Sequence, residues 1–216
     1  YDQAIALKPA YAANYRRRAV LWRKMGEYER ALADYDRAIG LDPKNATAHD
    51  GRALIWFGEG EYARAVADYN EAIELDPKLA YAYLGRGIIS FHSGASGKAV
   101  ADFRQAAALK PDDAYPAIWL DLAERLAGGS GHLRESTART DMKKWPAPAI
   151  RMLLGETGLD AALAAAEDPN PIKKSGNRCE VNLFAAELAR LEGHGDQAMQ
   201  LYRTAARNCP NEYYEN

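Results

Sequence analysis

The sequence predicts an all-α protein, an α-solenoid built from stacked antiparallel helix pairs. Shifting the chain by 34 residues superposes the segments 12–45, 46–79 and 80–113 on one another. Small, aromatic and proline residues then recur at the same positions of each unit. These positions are Ala19, Ala53 and Gly87; Ala31, Ala65 and Ala99; Tyr35, Tyr69 and Phe103; Ala38, Ala72 and Ala106; and Pro43, Pro77 and Pro111. Units of this kind stack side by side because one unit alone cannot bury its apolar face.

The composition argues against several classes of function. The 216 residues are 48% hydrophobic and 27% charged, with a formal net charge of −2. Such a chain folds, and its weak net charge creates no field that would draw it to nucleic acid. No stretch approaches the roughly 20 apolar residues that cross a bilayer. The histidines have no metal-ligand spacing, and GASGK (94–98) has too few residues between its glycines for a phosphate-binding loop. We therefore expect no enzyme activity and no cofactor or metal.

Each complete unit is predicted to contain two helices joined by a glycine turn. In the second unit, apolar and small residues recur at helical spacing over 47–57 and 62–75, and Gly60 separates the two stretches. The chain opens with YDQAIALKP, which matches the end of later units, so 1–9 is predicted to be the second helix of an incomplete repeat. We expect upstream sequence, with any targeting segment, to be missing. Part of this helix should be exposed or buried against another chain.

The regular pattern of 12–113 is lost over 114–178 and returns in a last hairpin and tail, 179–216. The region between them is predicted to hold degenerate helical units and linkers, an irregular helical insert before the last hairpin. Its predicted pieces are a helix over 114–127, a glycine joint over 128–131, a short irregular helix over 133–144, two short helices over 145–156 and 158–168, and a polar linker over 169–177.

The repeated positions, together with Trp22 and Trp56, resemble the tetratricopeptide repeat (TPR). This resemblance covers 12–113 and implies a right-handed superhelix with a concave ligand face. The C-terminal half resembles the NlpI-type TPR lipoproteins of Gram-negative bacteria, through WPAPAIRMLLGE (145–156), the CE that opens the last hairpin and the terminal CPNEYYE. That second resemblance implies a periplasmic, lipid-anchored adaptor that docks peptidoglycan hydrolases and a protease. This chain lacks the lipidated N-terminal cysteine, and a cytoplasmic location is the alternative.

The two cysteines predict a disulfide in the last hairpin. Cys179 opens its first helix and Cys209 closes its second helix. These ends are neighbours in an antiparallel pair, so the geometry permits a bond. Such a bond would fit the oxidising periplasm that the resemblance implies. Two buried free thiols are the alternative.

The first helix of each unit carries a second stripe beside its stacking stripe, and we predict that this stripe lines a partner-binding groove. The groove should run from a basic rim into an apolar and aromatic floor, a combination that marks interaction sites. The predicted groove residues are Arg16, Arg17, Arg23, Leu54, Phe57, Tyr81, Leu84, Ile88, Phe91, Tyr115 and Trp119. Gly51, Gly58 and Gly85 would leave space for a ligand backbone. The alternative is that 128–175 folds back over this floor.

For the polar residues near the groove, the sequence predicts less specific roles. Asp34, Asp68 and Asp102 precede the repeated aromatic residue and are predicted to face solvent. The basic run 16–18 either pairs with an acidic partner or forms a solvated face. The lysine and asparagine residues with which some TPR domains hold a terminal carboxylate are not reproduced. Their positions are taken by Arg16, Val20, Gly51 and Leu54.

These observations favour a non-enzymatic scaffold that binds a peptide or helix segment of a partner protein in its concave groove. The resemblance implies an adaptor role in the bacterial cell envelope. Self-association into a homo-oligomer is the alternative function.

Overall fold

The structure is a computed structural model that describes residues 1–209. Residues 210–216, which hold all of the terminal CPNEYYE motif except its cysteine, lie outside the described residues. Residues 1–209 contain helices and no strand, which confirms the all-α prediction. The helices are α1 (Asp2–Leu7), α2 (Ala12–Lys24), α3 (Tyr28–Leu41), α4 (Ala46–Gly58), α5 (Tyr62–Leu75), α6 (Ala80–His92), α7 (Ser96–Leu109), α8 (Ala114–Leu126), α9 (Leu133–Ser136), α10 (Ala147–Leu153), α11 (Leu159–Ala164), α12 (Pro171–Leu191) and α13 (Gly195–Asn208).

The chain divides into two compact units, Tyr1–Leu109 and the residues from Lys110 onward. The first unit contains three helical hairpins, α2–α3, α4–α5 and α6–α7, preceded by α1. Gly26, Gly60 and Gly94 join the two helices of each hairpin with φ angles of 74°, 77° and 80°. An L-residue with a Cβ rarely adopts this left-handed conformation, so glycine ends the first helix and reverses the chain.

The repeated small and aromatic residues form the core of the first unit. Ala53 and Ala65, which face each other across the α4–α5 hairpin, have no exposed surface. Tyr69 fills the space between this hairpin and the next one and packs with Ala82 and Ile89 of α6. Because α3 packs on α4 and α5 packs on α6, successive hairpins share their apolar faces. This is the stacking that the 34-residue period predicts.

The second unit is built around the long helix α12, which contacts α8, α10, α11 and α13. The predicted polar linker over 169–177 is wrong, since α12 already begins at Pro171. The Asn170 side chain accepts hydrogen bonds from the backbone N–H groups of Ile172 and Lys173, and proline occupies the first turn. Asparagine followed by proline is a strong helix start.

The remaining pieces of the insert differ in their outcome. Two short helices are found inside the predicted stretches 145–156 and 158–168. The helix predicted over 133–144 is much shorter, because only Leu133–Ser136 is helical and turns follow it.

The disulfide prediction is confirmed: Cys179 and Cys209 are bonded, with their Cα atoms 5.0 Å apart, and tie α12 to the end of α13. No helix of the described part of the chain is both long and apolar enough to span a bilayer.

Candidate functional site

Three first helices of the repeats lie next to one another in the first unit, and α4 contacts α2 on one side and α6 on the other. We call their predicted groove positions in this unit the first-helix face. Its residues are Arg16, Arg17, Arg23, Leu54, Phe57, Tyr81, Leu84 and Ile88. Each of these side chains is exposed or half-buried, and Tyr81 is 53% exposed. Phe57 packs on the core beneath the face and lies 6.0 Å from the Tyr62 ring.

Two predicted groove residues are buried, and a third is hydrogen-bonded to a neighbouring helix. Phe91 is only 1% exposed, and Trp119 is 6% exposed with its ring 5.8 Å from Phe184 of α12. The Tyr115 hydroxyl donates to Glu180 of the same helix at 2.8 Å. The prediction is wrong for Phe91 and Trp119, because burial removes an aromatic side chain from contact with a ligand. Tyr115 is half-buried, and its place in the groove stays a prediction.

Trp145, in the segment before α10, is bound to the same carboxylate as Tyr115, that of Glu180. The Trp145 indole N–H donates to Glu180 at 2.6 Å. Glu180 thus joins α8, α12 and the segment before α10 within the second unit. Bonding of this kind gives Tyr115 a structural role in its own unit.

At two of the three glycines that were predicted to leave space for a ligand, a tyrosine side chain fills that space. A Cβ atom added at Gly51 would lie 2.5 Å from the hydroxyl of Tyr35, and one at Gly85 would clash with the Tyr69 hydroxyl. The expectation of space for a ligand backbone is wrong at these two positions, because the tyrosine of the preceding hairpin fills the space. Gly58 alone has no atom within 4 Å of such a Cβ.

An arginine of each first helix bridges two second helices. Arg52 donates two hydrogen bonds of 2.7 Å to Asp68 of its own hairpin and a third of 2.6 Å to Asp36 of the preceding hairpin. The same arrangement recurs at the 34-residue period, and we call it the arginine ladder. Its other members are Arg18 with Asp34 and Asp2, and Arg86 with Asp102 and Asn70.

The arginine ladder overturns one prediction and limits another. Asp34, Asp68 and Asp102 are buried and do not face solvent. Their burial is tolerated because the planar guanidinium donates to both oxygens of each carboxylate. Since Arg18 is held by Asp34, the cationic part of the run 16–18 on the first-helix face is Arg16 and Arg17.

A second series of cations lies on the tryptophans that helped to define the repeat. The Arg30 guanidinium is 4.8 Å from the centre of the Trp22 ring, and Arg64 lies at the same distance from Trp56. Stacking of this kind covers one side of a half-buried indole. These tryptophans therefore belong to the packing of their own hairpins.

One turn before Leu54, helix α4 carries a carboxylate, Asp50. Burial raises the pKa of Asp50 to about 6, and the nearby Arg23 opposes this rise. Burial also raises the pKa of Tyr69, and the charge of Asp50 adds to the increase. On the other side, Tyr35 is hydrogen-bonded to Arg23, which counteracts the effect of burial on the tyrosine pKa. The four groups form a polar cluster where the basic and apolar parts of the face meet.

The second unit contains a separate open cleft of about 430 Å³. Its lining residues are Met142, Lys143, Lys144, Trp145, Ala147, Pro148, Arg151, Ala165, Glu167, Asp168 and Asn177. Several of the charges are used within the unit: Arg151 donates to the Met142 carbonyl at 2.7 Å, and Glu167 pairs with Lys174 at 2.5 Å. Within residues 1–209, no cluster of histidine, cysteine or acidic side chains is arranged to hold a metal ion.

Comparison with solved structures shows the same fold in three proteins. The first TPR domain of Spaghetti (RPAP3), bound to an HSP90 peptide, has a TM-score of 0.52 and 24% identity over 55% of this chain and 94% of its own. The Arabidopsis OM64 TPR domain has a TM-score of 0.50 and 26% identity over 54% and 94%. YrrB, a TPR protein with an unusual peptide-binding site, has a TM-score of 0.55 and 18% identity over 96% and 91%. No curated protein matches the sequence significantly.

A family model also matches the chain directly. The tetratricopeptide repeat model matches residues 1–46, 17–80 and 57–114, which together span more than half of the sequence. These matches coincide with the first unit and its glycine-joined hairpins. The chain therefore belongs to the tetratricopeptide repeat family.

Proposed function

We propose that the protein is a non-enzymatic scaffold that binds a peptide or helical segment of a partner protein on the first-helix face. The observation that carries this proposal is the row of accessible apolar side chains on two adjacent helices, α4 and α6: Leu54, Phe57, Tyr81, Leu84 and Ile88. Burying such a row releases water from apolar surface, and aromatic anchors concentrate the binding energy. Arg16 and Arg17 give the same face a cationic side that can orient the segment.

Peptide binding by structural neighbours supports this proposal. The RPAP3 domain is bound to an HSP90 peptide, and YrrB has a peptide-binding site. Because both proteins are less than 25% identical to this chain, they do not identify its partner. The first-helix face lies wholly within the first unit, so one compact body holds the proposed site.

Replacing Leu84 by glutamate tests the face directly. Wild-type protein is first used to select binders from a random 12-residue phage-displayed peptide library, and the best peptide is then measured by fluorescence anisotropy. We expect Leu84→Glu to weaken its binding by about tenfold or more, since a buried charge would replace an apolar anchor. Circular dichroism should show unchanged helicity, because Leu84 is half-buried and outside the repeated core positions.

Met199→Glu provides the matched control, because Met199 is an exposed apolar residue of α13 outside the face. It should leave binding unchanged. Equal binding by the Leu84→Glu variant, or failure of the library to yield any binder, would contradict the proposal.

We further propose an adaptor role in the bacterial cell envelope. The resemblance of the C-terminal half to NlpI-type lipoproteins suggests it, and the Cys179–Cys209 disulfide is compatible with an oxidising compartment. Pull-down from envelope extracts of the source organism, followed by mass spectrometry, tests this role. Recovery of peptidoglycan hydrolases or a protease with wild-type protein, and their loss with Leu84→Glu, is the expected outcome.

Self-association is the second candidate function, and exposed apolar side chains near α1 favour it. Leu7 is 83% exposed, and Tyr1 and Tyr11 are each about half exposed. Light scattering over a wide concentration range tests this candidate. A mass that rises with concentration in the wild type and stays monomeric in Leu7→Glu would support it, and a concentration-independent monomer would exclude it.

A further inference from the structure

The charges of the first unit are divided unevenly between its first and second helices. Helix α2 contains five cationic residues and no acidic residue, and α6 contains one arginine and no acidic residue. Helices α3 and α5, by contrast, each contain three acidic residues. The excess of positive charge therefore lies on the first helices, and it is concentrated on α2.

On α2, Arg16 and Arg17 keep their charges available to a ligand. Arg18 is held in the arginine ladder, and Arg23 is hydrogen-bonded to Tyr35. Within residues 1–209, neither Arg16 nor Arg17 forms an ion pair or a side-chain hydrogen bond, and Arg17 is exposed. A guanidinium group in this state can donate two parallel hydrogen bonds to an incoming carboxylate.

The α6 side of the first-helix face is apolar. Leu84 and Ile88 are half-buried, and the exposed Tyr81 lies one turn before Leu84. Arg86, the one arginine of α6, is committed to the arginine ladder. An acidic residue placed over Leu84 and Ile88 would lose water without gaining a cation, so this side favours an apolar residue.

The separation of the two sides determines the spacing of the ligand residues. Arg16 and Leu84 occupy the same position of their repeats, and α4 contacts both of their helices. Since packed helices lie about 8–10 Å apart, the two positions are separated by about 16–20 Å. An extended chain covers that distance in about five or six residues, and a helix needs about 11–13.

We propose that the partner segment is acidic at one end and apolar at the other, with aspartate or glutamate side chains on the two α2 arginines and a large apolar side chain on Leu84 and Ile88. This inference rests on the proposed peptide-binding function and adds the chemistry of the ligand. The acidic groups are side chains rather than a terminal carboxylate, because the lysine and asparagine residues with which some TPR domains hold that group are not reproduced. Opposite preferences at the two sides of the face give the segment one orientation.

Peptides that the wild-type protein selects from the 12-residue library provide the first test. They should share an acidic residue and a large apolar residue at a fixed spacing, which is about five or six positions if the peptide is extended. Replacing that acidic residue by glutamine should weaken binding to the wild-type protein about tenfold, as measured by fluorescence anisotropy. Amidation of the peptide C-terminus should have no effect.

The double variant Arg16→Gln/Arg17→Gln tests the same contact from the protein side. It should bind the selected peptide about tenfold more weakly, and glutamine in the peptide should then cause no further loss, because the pair is already broken. Lys44→Gln/Lys98→Gln is the matched control, since it removes two exposed charges outside the first helices. It should leave binding unchanged. Reversing both partners, with Arg16→Glu/Arg17→Glu and lysine in the peptide, should restore binding.

Several outcomes would overturn the inference while Leu84→Glu still weakens binding and the peptide-binding function stands. These are selected peptides without a shared acidic residue, equal binding by the arginine and lysine double variants, and a reversed pair that does not bind. Loss of binding on amidation, without loss on glutamine replacement, would instead show that a terminal carboxylate is recognised. The peptide substitutions use wild-type protein, so their result does not depend on the folding of a variant. If the library yields no binder, the proposed function itself fails.

Discussion

Replacing Asp68 by alanine should lower the free energy of unfolding of the first unit by about 3–5 kcal/mol, the range typical for breaking one partner of a buried ion pair. Asp68 is only 7% exposed, and its two oxygens accept hydrogen bonds from Arg52. Its Oδ1 also lies 3.4 Å from His49 Nδ1. Removing the carboxylate leaves these partly buried groups without their main acceptor. Urea denaturation followed by circular dichroism measures the change.

Asp36→Ala is the matched control, because Asp36 contacts the same guanidinium from the preceding hairpin. Its side chain is 60% exposed, so water screens the pair and the expected loss is below about 1 kcal/mol. A similar loss for both variants would show that burial does not decide the strength of the ladder. An Asp68→Ala variant as stable as the wild type would show that Asp68 is not a structural member of the fold.

Two glycine-to-alanine substitutions in the same helix should have opposite effects on stability. Gly51→Ala should destabilise the protein by about 1–3 kcal/mol, as overpacking does in a filled core. Its new methyl group would lie 2.5 Å from the Tyr35 hydroxyl, and Tyr35 is a fully buried ring. Gly58→Ala should stabilise it by about 0.4–1 kcal/mol, because no atom lies within 4 Å and alanine restricts the unfolded chain.

Thermal and urea denaturation of the two variants provide the test. Helix propensity favours alanine at both positions, so a difference in sign isolates the contact with Tyr35. Stabilisation by both substitutions would mean that the tyrosine moves aside without loss. In that case the space beside Gly51 could also be used by a ligand.

The fold could be predicted from the sequence because the same packing residues recur three times at a period of 34 residues. A small residue such as Ala53 or Ala65 marks each close helix contact, and Tyr69 marks the space between hairpins. The Cys179–Cys209 disulfide could be predicted because the ends of an antiparallel hairpin are neighbours. Local residue type and period carry this information without knowledge of side-chain geometry.

The arginine ladder was missed because helical spacing places Asp68 on the edge of the buried stripe and does not identify its partner. The signal was present: arginine at 52 and aspartate at 68 recur together at 18 and 34, and at 86 and 102. A polar pair that keeps the period of the core indicates a buried contact. A solvent-facing position has no physical reason to repeat with the core.

The candidate site was predicted in part. Phe91 and Trp119 occupy the same stripe as Phe57 and Leu84, but both are buried. For Trp119, the repeat period does not describe its contact with Phe184, which lies 65 residues later in the chain. Helix α12 begins earlier than the return of the repeat pattern and supplies that residue.

The arginine ladder also determines how loss of one hairpin affects the next. Each of its guanidinium groups is shared by two second helices, so unfolding of one hairpin removes a ligand from the arginine of its neighbour. Such nearest-neighbour coupling makes the hairpins unfold cooperatively, as in a one-dimensional chain of linked units. Leu120 replaces arginine at the next position of the series, and Arg104 replaces the second acceptor. Amide exchange should therefore show concerted opening of α2 to α7.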